Sequence, residues 1–436
     1  MDMNETTAAV YNVKAVIRET GLAPDTLRTW ERRYGVPRPE RSLGRQRRYS
    51  QRDVDQLKWL IARQREGMAI SRAVELWNGL EASGQDPLRT TTALAAPVAD
   101  SHTPLELQHA WIEACQAYDE RRAEAVLAQA FALYPPERVC LDVIQQGVAT
   151  LGDRWYRAQA TVHQEHLASE LATRQIERLI AATPPAWRSG RLVVGCPPGE
   201  DHRFPPLLLT ALLRRRGWDT LYLGSDVPVE HFDRLAERVQ PSLVLLSAQR
   251  LPTAATLRLA ASTFECLGIP LAFGGGIFNR IPSLRARVPG FFVGETLIDA
   301  IATVERVVTE QPAASPVSET PPDFLRERTL FLAQQGEIEI EIALRRRLVG
   351  FPGSESIVAL ATNSLAQYVA AALLFGDLSL LAPEIAWTAG LLAAHQMDGA
   401  QLATYLSDYA AALSDVLGDA CPRLSAWFAP YRTKPT

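Results

Sequence analysis

The sequence predicts a multidomain chain of α and α/β class: a small helical head, a four-helix bundle, a doubly wound parallel sheet and an all-α tail. Three observations predict it. From Arg191 onward, five short apolar runs each end at Gly or Ser and alternate with helical stretches, the pattern of strands buried on both faces. The segments on either side carry helical periodicity throughout. Two stretches with little periodicity, Ala82 to Ser101 and Gln311 to Pro322, are rich in Pro, Ala, Ser and Thr and read as linkers. The expected division is 1–80, a linker 81–103, 104–188, 189–310, a linker 311–322, and 323–436.

The head begins with a helix around Val13–Ile17, turns at Gly21, and opens a second helix near Pro24. Leu27, Trp30 and Tyr34 share a helical spacing, with Arg28, Arg32 and Arg33 elsewhere on that surface, which makes Trp30 a core residue rather than a base contact. Gly35-Val36-Pro37-Arg38-Pro39 must break the helix. Ser42 to Tyr49 reads as a tight, basic hairpin, and Ser50 as the N-cap of a helix from Gln51 to about Glu66. Four helices follow: Leu105–Tyr118, Arg121–Leu133, Pro136–Trp155 and Val162–Ala182.

The strands are expected at 192–195, 220–224, 243–247, 270–274 and 290–294, with helices at Leu207–Arg216, Pro228–Val239, Ala254–Leu267 and Ile281–Val288. On such sheets ligands bind beyond the carboxyl ends of the strands, where His202, Ser225-Asp226, Ser247 and Gly274-Gly275-Gly276 fall. In the tail, Glu337, Glu339 and Glu341 alternate with isoleucines but read as the exposed face of a helix or edge. His395 sits on an apolar stretch and reads as structural. The amphipathic stretch Leu402–Leu417 suits dimerisation, a partner surface or a pocket equally well.

Composition narrows the classes of function. Hydrophobic content of 47% and charged content of 22% suit a soluble globular protein, and no apolar run reaches the length of a membrane span. The N-terminus lacks a basic n-region and an apolar h-region, so a cytoplasmic protein is expected. The five cysteines form no C-x-x-C pair, which predicts reduced, buried thiols and no zinc site. Residues 1–75 carry fifteen Lys/Arg against ten Asp/Glu, leaving −9 on the remainder of a chain of net charge −4. A basic head on an acidic body suggests one segment that faces nucleic acid.

The motif with most chemistry is Trp155-Tyr156-Arg157-Ala158-Gln159-Ala160-Thr161-Val162-His163-Gln164-Glu165-His166, followed in a later loop by Glu200-Asp201-His202. A large aromatic, a Glu-His pair and a strand-end histidine suit a bulky, metal-centred cofactor held between two subdomains. The triple glycine is a weak phosphate signal by itself, since it lacks the spacing of a dinucleotide loop.

Tyr11-Asn12-Val13, Thr20-Gly21, Thr26 through Gly35, Pro37, Pro39, Arg41, Arg47 through Ser50, Asp53-Val54, Leu57 and Gly67 together resemble the MerR family of winged-helix regulators. The resemblance implies a winged helix-turn-helix that places a short helix in the major groove of double-stranded operator DNA. By position it assigns DNA contacts to Thr26, Arg28, Arg32, Arg33, Arg47, Arg48 and Tyr49, the last as a wing tyrosine on phosphate.

Pro104 to about Val308 resembles the light-sensing cobalamin-binding regulators of the CarH and LitR kind. Trp155, Glu165 and His166 reproduce W-x9-E-H, with Val162 as the small apolar position between them. The resemblance implies a four-helix-bundle cap whose Trp155, Val162, Glu165 and His166 cover the upper face of adenosylcobalamin. His202 would be the lower axial cobalt ligand, with Glu200 a candidate to orient it. Ser247, Gly274, Gly275 and Gly276 would let the displaced nucleotide tail pass close to backbone. Two positions depart from the family: Pro205 stands where E-x-H-x-x-G has its glycine, and Tyr156 stands where several members carry a second histidine.

The function implied is transcriptional regulation, not catalysis, by a photoreceptor whose light-dependent homo-oligomer, dimer or tetramer, presents several heads to an operator. Four alternatives stay open: a cobalamin enzyme, a corrinoid carrier, a fold turned to another tetrapyrrole such as a bilin or haem with or without cobalamin, and a regulator with no cofactor.

Overall fold

In the computed structural model, the described residues are 11–41, 47–65, 70–82, 87–88, 102–313, 317–349, 355–397 and 399–432. Residues 42–46 of the expected hairpin, Gly67 and most of the first expected linker lie outside them. The chain groups into two compact units, one of residues 1–100, 176–192 and 210–221, the other of 101–175, 193–209 and 222–436.

The first unit holds α1 (Val13–Thr20), α2 (Pro24–Tyr34), the two-residue strands β1 (Glu40–Arg41) and β2 (Arg47–Arg48), α3 (Gln51–Arg65) and α4 (Ile70–Ala82). Asn12 caps α1 with its side chain, and Gly21 ends that helix in the left-handed region. Ser50 and Asp53 exchange hydrogen bonds at the start of α3, as the sequence leads one to expect. Leu27, Trp30, Leu57, Leu60 and Trp77 fill the core, and Trp187 joins them from the segment that precedes β3.

The helical segment comprises α5 (Pro104–Gln116), α6 (Glu120–Leu133), a continuous run from α7 (Pro136–Arg138) to α8 (Gln146–Tyr156), and α9 (Val162–Ala181), all in the second unit except the end of α9 from Ile176 onward. The run is not the uniform α-helix the periodicity suggests, because Val139–Gln145 is π-helical. Such an insertion re-aims the side chains that follow it and is frequent at functional sites.

The sheet alternates β3 (Arg191–Gly195), α10 (Phe204–Arg215), β4 (Asp219–Gly224), α11 (Phe232–Val239), β5 (Leu243–Ser247), α12 (Leu251–Cys266), β6 (Leu271–Gly274), α13 (Gly276–Arg280), β7 (Phe291–Phe292) and α14 (Leu297–Glu310). Its strand order is β4-β3-β5-β6-β7, with β5–β6 and β6–β7 parallel. The order reverses between β3 and β5, so the carboxyl ends of those two strands frame the crevice where such sheets bind ligands. All five expected strands are present. Two helices are shorter than expected: α11 starts only after His231, whose φ is +63°, and Pro282–Arg287 forms a 3-10 turn.

The tail is all α: α15 (Pro322–Ala333), α16 (Gln335–Val349), α17 (Glu355–Phe375), α18 (Leu381–Ala394), α19 (Gly399–Leu417) and α20 (Pro422–Phe428). Ile338 and Ile342 are buried while Ile340 is exposed, so the alternating glutamates lie on a helix. Arg287 ties the tail to the sheet through the Phe375 carbonyl at 2.7 Å and Asp377 at 3.0 Å. Four cysteines are buried, but Cys266 is exposed, contrary to expectation, because it ends α12 at the surface. Among the described residues, no helix is long and apolar enough to cross a membrane.

Candidate functional site

The loop after β3 is organised around one carboxylate. Glu200 is fully buried, and its Oε1 accepts from the backbone N–H of His202 at 3.1 Å and from His202 Nδ1 at 2.5 Å. Its Oε2 accepts from the backbone of Gln249 at 2.7 Å and from the Thr253 hydroxyl at 2.5 Å. Gln249 follows β5 and Thr253 opens α12, so the carboxylate joins both sides of the strand-order reversal. Burial by itself would raise the carboxyl pKa, but the hydrogen bonds from His202, Thr253 and Gln249 outweigh it and hold it at about 2.

An ionised Glu200 can only accept, so His202 Nδ1 carries the proton of this bond, and in the neutral ring Nε2 is the nitrogen left with a lone pair. The His202 side chain remains 57% exposed. Among the described residues, no group of three or more His, Cys, Asp or Glu could hold a metal ion.

Beside this loop lies a cleft of about 210 Å³ lined by Pro205, Ser247, Gly274, Gly275, Gly276 and, from the π-helical segment, Gln145. Gly275 has a φ of +115°, and a Cβ there would stand 2.0 Å from the Ala248 carbonyl oxygen. Only glycine allows the chain after β6 to pass that close to the chain after β5. Pro205 lies in the first turn of α10, where a missing N–H costs no helical hydrogen bond.

Trp155 lies in the last turn of α8, partly exposed, while Val162, Glu165 and His166 lie in the first turns of α9 with Val162 and His166 exposed. Glu165 accepts from Ser169 at 2.6 Å.

In the first unit, Arg28, Arg32, Arg33 and Arg48 are exposed and Thr26 is partly so. Arg28 pairs with Asp25 at 3.3 Å. Glu31 binds Arg47 at 3.0 Å and accepts the Tyr49 hydroxyl at 2.5 Å, which fastens β2 to α2. Tyr49 is thus fully buried with its hydroxyl engaged, which corrects its expected place at a phosphate: its ring packs into the core and Glu31 holds its polar end.

The comparisons with known proteins match this organisation. Residues 11–80 fit the MerR HTH family regulatory protein, and residues 107–180 fit the B12 binding domain. The HTH-type transcriptional repressor CarH of Myxococcus xanthus is 33% identical over 241 residues, 54% of this chain and 78% of that protein. The chain belongs to the CarH family of MerR-type regulators.

A second relative, the HTH-type transcriptional repressor CarA of the same organism, is 29% identical over 268 residues, 60% of this chain and 85% of its own length. Among solved structures, the monomethylamine corrinoid protein of Methanosarcina barkeri is similar at 16% identity and a TM-score of 0.37, covering 47% of this chain and all of that one; so low a score carries no argument. The chain thus joins a MerR-type head to a B12 binding domain, as the residues suggested.

For this CarH-family chain, the structure brings together Glu200 and His202, and separately Ser247 with the three glycines. Sequence reasoning missed Gln145, Gln249 and Thr253. Gln249 and Thr253 carry no motif, and only the pairing of β3 with β5 brings them to Glu200. Gln145 enters the cleft from a π-helical turn that periodicity does not reveal.

Proposed function

We propose that this CarH-family chain is a DNA-binding regulator that senses adenosylcobalamin and, through it, light. The observation that carries this reading is the Glu200–His202 pair, a single exposed imidazole oriented by a buried carboxylate at the strand-order reversal. His202 would hold the cobalt of a corrinoid through Nε2. Glu200 would keep the proton on Nδ1 and hold the ring in its orientation. Trp155, Val162, Glu165 and His166 would cover the upper face as a cap, and Ser247 with Gly274, Gly275 and Gly276 would hold the nucleotide tail.

The bound corrinoid would supply a cobalt–carbon bond that visible light can break. In the head, Thr26, Arg28, Arg32, Arg33, Arg47 and Arg48 would contact operator DNA, with Tyr49 holding β2 in place. A homo-oligomer favoured in one ligand state would present several heads to one operator, a two-state equilibrium biased by differential ligand binding.

The test is the absorption spectrum of protein prepared in darkness, with and without adenosylcobalamin, before and after illumination. A bound-corrinoid spectrum that changes on illumination, and reverts to that of free cofactor in His202→Ala, is expected. No corrinoid uptake overturns the reading, and a bilin or haem band in its place redirects it to another tetrapyrrole.

A further inference from the structure

Helix α18 reaches both places where the cofactor would be held. Toward its N-terminus, Glu384, only 12% exposed, accepts from Arg280 Nη2 at 3.2 Å. The same nitrogen donates to the Gln249 carbonyl at 3.1 Å, and the Gln249 amide is one of the four donors on the Glu200 carboxylate. Midway along it, the Trp387 ring lies 5.4 Å from that of Tyr156, whose hydroxyl donates to the Trp387 carbonyl at 3.3 Å. Gly390 leaves room for that hydroxyl, since a Cβ there would collide with it.

The residue that caps α18, His395, places Nε2 3.0 Å from the Trp155 carbonyl oxygen, with the two rings 6.3 Å apart. That carbonyl belongs to the last turn of α8 and also accepts from the Ala158 N–H at 3.0 Å, so His395 is a further donor that ties this turn to the tail. Although α18 is almost wholly apolar, Leu381 alone of its described residues is buried. Packing within the tail therefore does not explain its composition.

We propose that α18 is a wall of the cofactor site, and that His395 and Trp387 are positioning residues that fix Trp155 and Tyr156 and so set which upper substituent the site accepts. This rests on the cobalamin reading of the site. The Nε2–H of His395 anchors the turn that carries Trp155, while Trp387 occupies the space into which Tyr156 would otherwise swing. Glu384 and Arg280 hold the other end of the helix against the loop that orients His202. The tail is in this way a selectivity element for the group on the upper face.

The experiment titrates full-length protein in darkness with adenosylcobalamin and, separately, with hydroxocobalamin. Wild type is compared with His395→Ala, His395→Gln and Trp387→Ala. Removing one such anchor should reduce the preference for adenosylcobalamin by about tenfold in His395→Ala and Trp387→Ala. Hydroxocobalamin affinity should change little, and His395→Gln, whose amide can donate to the same carbonyl, should recover most of the preference. An unchanged preference in both alanine variants, with both corrinoids bound, overturns this inference and leaves the cobalamin reading standing. Failure of wild type to bind either corrinoid removes both.

Discussion

At the scale of single residues, Glu200 shows how burial and hydrogen bonding compete. A carboxylate with four donors stays ionised in a place where burial alone would neutralise it. Its folded pKa of about 2 lies below the ordinary value of 4.5, so within that window the unfolded chain binds more protons than the folded one. The stability it contributes is complete above that window and is lost as pH falls through it. Glu200→Gln should therefore cost on the order of 2 kcal/mol at neutral pH, and the gap from wild type should close as pH falls toward 2; denaturant melts at several pH values check this. Gly275→Ala should cost more, because a φ of +115° and a Cβ 2.0 Å from a carbonyl oxygen cannot both be relieved by small shifts. A destabilisation of about 3 kcal/mol or a failure to fold, measured by thermal melting, is expected. Tyr49 carries the opposite lesson: a tyrosine beside two arginines looks like a phosphate clamp in sequence, yet the fold turns it inward onto Glu31.

At the scale of elements, the strands and most helices were legible because their signals are local. Apolar runs that end in glycine, and caps such as Ser50 with Asp53, act within a few residues. Ser50→Ala should destabilise the head by about 1 kcal/mol, seen as a lower melting temperature with the far-UV spectrum retained. The π-helical turn at Val139–Gln145 was not legible, since a shift from i−4 to i−5 bonding leaves no residue signature and is decided by packing. The same holds for the contacts of α18, an apolar stretch on which His395 reads only as structural. In the structure it carries Trp387 and His395 to the end of α8, so the reading of His395 as merely structural left out the residue it touches.

At the scale of the whole molecule, the asymmetry of charge, +5 on residues 1–75 and −9 beyond, predicts salt-dependent binding of duplex DNA through the head alone. Replacing Arg32 or Arg48 by Ala should weaken binding to any duplex and flatten the dependence of log K on log salt by about 0.9 for each phosphate that is no longer neutralised. Fluorescence anisotropy across a potassium chloride series measures this, and an unchanged slope would remove that residue from the interface. By itself the sequence determined the classes of domain, the five strands, the MerR and B12-binding identity and the Glu200–His202 motif, because periodicity, turn chemistry and short motifs are written in neighbouring residues. Only the tertiary structure decided which partners hold Glu200, which side chains line the cleft and what the tail touches. Those facts depend on residues 49 to 240 positions apart in the chain, and pairings of that range are set by strand order and helix packing.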